Sequence, residues 1–97
     1  MPSGFPTGRR WRNLADVEWI EEALEDLNGL DRMVGKRILK KITWLSRNFE
    51  NIIPEPLSGE FTGAYKLRIG DWRVVYTFDK ETIFIHHVGH RREIYNI

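Results

Sequence analysis

The stretch that most constrains the fold runs from residue 65 to residue 88, where side chains alternate with period two. Tyr65, Leu67 and Ile69 alternate with Lys66 and Arg68. Trp72, Val74, Tyr76 and Phe78 alternate with Arg73, Val75 and Thr77. Ile83, Ile85 and His87 alternate with Phe84, His86 and Val88. Between the first two runs, Gly70-Asp71 has the form of a two-residue II′ turn, with glycine at the first central position. Asp79-Lys80-Glu81-Thr82 supplies a second turn. The pattern predicts a three-stranded antiparallel meander with one apolar face, and that face needs a cover.

The preceding residues predict the cover. From about Trp11 to Trp19 the chain alternates loosely, with Ala15, Val17 and Trp19 on one side, which reads as a first strand. The period then changes. Ile20, Ala23, Leu24 and Leu27 share one helical face, and Asn28-Gly29 is read as a stop with Gly29 left-handed at C′. Asp31 is placed to cap a second helix whose stripe is Val34, Ile38, Ile42 (or Leu39), Leu45 and Phe49. Pro54 and Pro56 end the helical region by residue 53. The predicted class is α+β: strand, helical hairpin, then the meander (β-α-α-β-β-β), with the helices packed on one face of the sheet. At 97 residues the chain makes one domain, read here as 11–97 behind a flexible basic arm at 1–10.

Cysteine is absent, which excludes disulfide scaffolds, zinc fingers, iron–sulfur sites and thiol catalysis. No apolar run approaches the roughly 20 residues that span a bilayer, and the N-terminus has no apolar signal region. A soluble cytoplasmic protein without membrane association is expected. The net charge of +1 hides strong segregation. Asp16, Glu18, Glu21, Glu22, Glu25 and Asp26 occupy a stretch with no base, whereas Arg32, Lys36, Arg37, Lys40, Lys41 and Arg47 crowd the second helix. Such segregation suits solvated, mutually attractive helix faces and also charge-complementary docking.

The Gly70-Asp71 hairpin fixes a register with a consequence. It sets Arg68 opposite Arg73 and Lys66 opposite Val75, on the face away from the helices. Like charges placed opposite each other destabilise a sheet. Lys66, Arg68 and Arg73 would therefore crowd one small patch with no carboxylate from these two strands. A solvated outer face is one explanation, and charges there also discourage edge association. A phosphate ligand is the other, because Arg offers bidentate donors and Lys a point charge. If the second turn keeps the same spacing, Val88 falls beside Arg73 and His86 beside Val75. Gly89 is expected to let the strand bend, bringing His90, Arg91 and the C-terminal Tyr95 toward the patch. His86 and His87, adjacent on a strand, should point to opposite faces, with His87 on the helix side. No Cys or HExxH spacing supports metal ligation, and no cofactor motif is present.

Four stretches resemble the RelE/ParE toxins of bacterial toxin–antitoxin pairs. They are Asp16 to Asp31, Lys36 to Leu45, Leu57-Ser58-Gly59 leading into Tyr65 to Tyr76, and Val88 to Tyr95. The RelE branch is known for ribosome-dependent cleavage of mRNA, and the ParE branch for poisoning DNA gyrase. The resemblance to RelE enzymes implies catalytic roles for Lys66, Arg68, Arg73, Arg91 and Tyr95, with RNA binding by Lys66, Arg68, Arg73, Arg91 and Arg92. Position 68 is Arg where some RelE enzymes carry Lys. The spacing from Arg91 to Tyr95 is shorter than in some members, which makes His90 a second candidate for the acid. The resemblance further implies a cognate RelB-like antitoxin in a hetero-oligomer, and mRNA on the 70S ribosome as target.

The implied chemistry is a metal-independent endoribonuclease step that inhibits translation. A 2′-OH attacks the adjacent phosphate, giving a cyclic phosphate and a 5′-OH. Arg73 and Arg91 suit neutralisation of the phosphorane. Lys66, if crowding by like charge releases its proton, suits the base. Tyr95 or His90 would protonate the leaving oxygen. The rival readings are a ParE-like toxin that inhibits gyrase by contact alone, and a basic RNA-binding domain without chemistry.

Overall fold

The structure, a computed structural model, describes residues 15–94. The proposed arm at 1–10, most of the predicted start of the first strand, and Tyr95 lie outside the described residues. Chain order is β1 (Asp16–Trp19), α1 (Glu21–Asn28), α2 (Arg32–Arg47), β2 (Glu55–Pro56), β3 (Tyr65–Ile69), β4 (Trp72–Asp79) and β5 (Thr82–His90). Single 3-10 turns at Phe49–Asn51 and Gly59–Phe61 flank β2. The strands form one mixed sheet in the order β1-β5-β4-β3-β2, with the helices against one face. The meander is antiparallel throughout, and β1 joins its far edge parallel to β5.

Local chemistry explains the helices. Asp31 caps α2, its side chain accepting from the Met33 N–H at 3.0 Å. In the first turn of α1, Glu21 and Glu22 meet the positive end of the helix dipole. Gly29, by contrast, is right-handed at φ −87°, so no left-handed cap forms. Its N–H reaches back to the carbonyls of Glu25 and Asp26, and the Leu30 N–H to that of Leu27. The chain passes through this tight turn straight to the Asp31 cap. Of the stripe predicted for α1, Ala23 is fully buried, whereas Leu24 is 43% exposed, because the short helix buries only a narrow side.

The core sits between helices and sheet. Ile38, Ile42 and Leu45 of α2 meet Leu67, Ile69, Val74, Tyr76, Ile83, Ile85 and Val88. At its edge, the Phe49 and Phe78 rings pack edge to face at 4.8 Å. Burial without compensating solvation pushes the Tyr76 hydroxyl up to about 12.

Two further features depart from the sequence reading. β2 is an extra two-residue strand, Glu55 facing Lys66 and Pro56 facing Tyr65. Proline is tolerated on such an edge because its missing N–H need not pair. A β-bulge also interrupts the β4–β5 ladder. Phe78 faces Ile83 and Tyr76 faces Ile85 as expected, but Val75 then faces His87 and Arg73 faces Gly89. The expected pairs, His86 with Val75 and Val88 with Arg73, do not form. The shift turns Val88 into the core opposite Val74 and returns His87 to the outer face. His86 lies on that face as well, with Nε2 2.9 Å from Thr77 Oγ1. The two histidines therefore do not point to opposite faces.

Candidate nucleic-acid interface

The β3–β4 register matches the sequence expectation at every pair: Arg68 faces Arg73, and Lys66 faces Val75. Gly70 holds the turn with φ +60°, while Asp71 does not share its positive φ, as a II′ turn requires. Two rigid strands thus present Lys66, Arg68 and Arg73 on the face opposite the helices.

A carboxylate intrudes that the meander alone did not reveal. Because β2 pairs with β3, Glu55 sits beside Lys66 on the same face. Its Oε2 lies 2.6 Å from Arg68 Nη2 and 3.6 Å from Lys66 Nζ, and Oε1 accepts from Arg68 Nε at 3.2 Å. The two-pronged Arg68 contact holds the Glu55 carboxyl below its ordinary value, with the Lys66 charge helping. Lys66 is not crowded by cations alone, so like-charge crowding does not by itself make it a base. The signal for Glu55 lay in the sequence, an acid between Pro54 and Pro56 ten residues ahead of β3, but two residues carry no readable period.

The other half of the patch is organised by the turn. Arg73 Nη1 donates to the carbonyls of Gly70 at 2.8 Å and Trp72 at 2.9 Å. Arg91 follows β5 directly. Its N–H donates to the Asp71 carbonyl at 2.7 Å, and its Nε lies 3.4 Å from Asp71 Oδ1. Arg73 and Arg91 thus both contact the turn at one end of the sheet. The bend after β5 falls at Arg91 and not at Gly89. Gly89 is buried because Glu93 and Ile94 fold back over it: a Cβ there would stand 3.0 Å from Glu93 Oε1 and 3.1 Å from Ile94 Cδ1.

His90 is not brought to the cationic face. It pairs with Trp72, their rings edge to face at 5.3 Å, on the side of the sheet that carries the core. Its Nδ1 accepts from the Arg92 N–H at 3.1 Å. Arg92 itself is exposed beside this turn. His86 and His87 lie on the outer face, farther along the strands. Burial, then the neighbouring His87, lowers the His86 value, against a smaller opposite pull from Glu22. His87 Nδ1 is 3.9 Å from Asp26 of α1, whose carboxylate also accepts from the Val88 N–H at 3.0 Å. Phe61 meets His87 edge to face, and with Ile94 and Val75 they line a cavity of about 300 Å³. Among the described residues no group of three His, Asp or Glu side chains could hold a metal ion. No helix among them is long and apolar enough to cross a membrane.

The sheet end thus carries Lys66, Arg68, Arg73 and Arg91 against the carboxylates of Glu55 and Asp71, with that of Glu93 lying over Gly89, the residue that faces Arg73. This arrangement offers guanidinium and ammonium donors of the kind that pair with anions. A family model described as the ParE toxin of type II toxin–antitoxin systems, parDE, matches residues 17–95. The chain belongs to this family. No curated protein matches it. Among solved structures, the toxin–antitoxin complex RelBE2 from Mycobacterium tuberculosis is 27% identical with a TM-score of 0.71, covering 80% of this chain and 92% of that one. A mutant of E. coli toxin RelE in the free state is 27% identical with a TM-score of 0.66, covering 84% and 90%. The ParDE system of P. aeruginosa shares the fold at 12% identity, with a TM-score of 0.66 over 80% and 97%. The protein is a toxin of the type II toxin–antitoxin class with the RelE/ParE fold.

Proposed function

We propose that this toxin is a RelE-like endoribonuclease that cleaves mRNA on the ribosome and so inhibits translation. The observation that carries this reading is the direct opposition of Arg68 and Arg73 on adjacent strands, flanked by Lys66 and Arg91. That geometry costs stability in the free protein and is relieved by a phosphate.

In the proposed reaction the 2′-oxygen attacks the adjacent phosphorus and passes its proton to a solvent water. The phosphorane carries extra negative charge, which Arg73 and Arg91 neutralise. The bond to the 5′-oxygen then breaks, and that oxygen takes a proton, yielding a 2′,3′-cyclic phosphate and a 5′-OH. Tyr95 is the proposed donor, since His90 faces the core side. Lys66 and Arg68 hold the neighbouring backbone phosphate once it displaces Glu55. With so few acid–base groups, orientation of the RNA must supply much of the rate, and the ribosome is the proposed source of it. No metal takes part.

A RelB-like antitoxin is the proposed partner, in a hetero-oligomer. Exposed Glu21, Glu22 and Glu25 on α1 and the basic surface of α2 offer it complementary charge.

A ParE-like action on gyrase is the second reading. It is favoured by the family model itself, and by Glu55 already occupying Lys66 and Arg68. Pulse labelling after induction separates the two. The nuclease reading predicts that protein synthesis stops first, with DNA synthesis following. Arrest of DNA synthesis first, with translation intact, would replace it by the gyrase reading.

A further inference from the structure

The tip of the β3–β4 turn gathers more positive charge than the strands contribute. Arg37, an exposed residue of α2, reaches the turn from the helical layer. A Cβ at Gly70 would lie 2.7 Å from Arg37 Nη2 and 3.8 Å from its Cζ. Gly70 is required for its positive φ, and its bare Cα leaves room for this guanidinium where it sits. Arg73 Nη1 donates to the carbonyl of the same glycine. Arg91 is tied to the next residue, Asp71, through backbone and side chain. Three guanidinium groups thus contact two consecutive turn residues, with Asp71 the carboxylate paired among them.

The three differ in how their donors are used. Arg73 spends Nη1 on two carbonyls, and Arg91 directs Nε to Asp71. The Arg37 guanidinium makes no hydrogen bond or ion pair with any described residue. A guanidinium carries five N–H donors, and holding one against a turn beside two others is unfavourable unless an anion joins them.

We propose that Arg37, Arg73 and Arg91 form an anion subsite at the turn tip that holds a backbone phosphate of the RNA next to the one engaged by Lys66 and Arg68. This subsite rests on the RNA reading above and extends it: α2 becomes part of the substrate-binding surface. The strand path then runs from the Glu55 edge of the sheet across Arg68 and Arg73 to the turn. The phosphate would take Arg37 donors directly and would compete with Asp71 for Arg91.

The test compares wild type, Arg37→Ala and Arg37→Lys, with Arg47→Ala as control. Arg47 is exposed on the same helix, ten residues on and so about 15 Å away. Binding of a short single-stranded RNA is followed by fluorescence anisotropy from low to moderate salt. Tripolyphosphate alone is titrated in parallel, followed by the NMR signals of the Gly70 amide and arginine Nε–H groups. Arg37→Ala should weaken RNA binding about tenfold and reduce the steepness of its salt dependence by about 0.7. Arg37→Lys should recover the salt dependence but only part of the affinity, since it keeps the charge and loses the fork. Arg47→Ala should leave both near wild type. Tripolyphosphate should shift the Gly70 signal in wild type and not in Arg37→Ala.

Equal effects of Arg37→Ala and Arg47→Ala, or tripolyphosphate shifts at Gly70 that survive Arg37→Ala, would overturn the subsite whatever the enzyme does. Loss of these signals in Arg37→Ala alone, in a protein that cleaves no mRNA, would keep the anion subsite and remove the nuclease reading. Thermal midpoints near wild type for all variants exclude unfolding as the cause.

Discussion

The two faces of the same three strands obey different rules. On the helix side, Val74, Tyr76, Ile83 and Ile85 are almost wholly buried and satisfied by packing against Ile38 and Leu45. On the outer side, Arg68 stands opposite Arg73, and Glu55 and turn carbonyls absorb only part of the positive charge. The first face decides that the chain folds. The second holds an arrangement that folding alone would not select, and that contrast is why we propose it as the working surface.

The contrast breaks most visibly if a core residue and a surface cation have the same kind of effect. Ile38→Ala should cost about 2–5 kcal/mol of stability by leaving a cavity in a site with no exposure. Toxicity should fall only as far as the folded fraction falls, read by denaturant unfolding alongside a growth assay. Arg73→Ala should do the opposite. Toxicity should drop by about 10²- to 10³-fold if the guanidinium stabilises the phosphorane. Stability should change by no more than about 1 kcal/mol, because relief of the Arg68 repulsion offsets two lost bonds to carbonyls. Severe unfolding of Arg73→Ala would assign it to the architecture instead.

Glu55→Gln sharpens the comparison within the outer face. It releases Arg68 from its two-pronged partner and removes one partner of Lys66, so RNA binding should tighten and depend more steeply on salt. Its stability cost should stay below about 1 kcal/mol, as for other exposed ion pairs. The lowered Glu55 value also fixes a sign. In wild type the pair stabilises the fold above the ordinary carboxylate value of 4.5 and is lost as pH falls through the lower folded value, so Glu55→Gln should flatten that acid limb.

The smallest effect concerns His86. Its folded value lies below the ordinary 6.5, so the unfolded chain takes up the proton first. Stability should therefore decline as pH falls through the ordinary His range, and His86→Gln should reduce that slope in thermal unfolding. An unchanged slope would place the response elsewhere.

Much of this was legible before the structure. The two-residue Gly70-Asp71 turn leaves one possible register, so the pairing of Arg68 with Arg73 follows from counting. Asp31 and the stripe through Ile38, Ile42 and Leu45 specify α2 equally well. The bulge was not legible, because one inserted residue leaves alternation intact on either side of it. Val88, apolar and one place out of phase, was its only trace. β2 escaped for a different reason: two residues, one of them proline, have no period, and Glu55 is drawn in by Lys66 and Arg68 rather than by any pattern of its own. Arg37 read as a solvated helix cation, since nothing in sequence places α2 against the Gly70 turn.

The central claim is that the cationic face cuts RNA. Its most direct test is a reconstituted translation reaction with mRNA 5′ ends mapped by primer extension, run with wild type, Arg73→Ala and a naked-mRNA control. New 5′ ends within codons in the ribosomal A site, present with wild type and lost with Arg73→Ala, are the expected result. Folded wild-type protein that produces no new ends, with or without ribosomes, would contradict it.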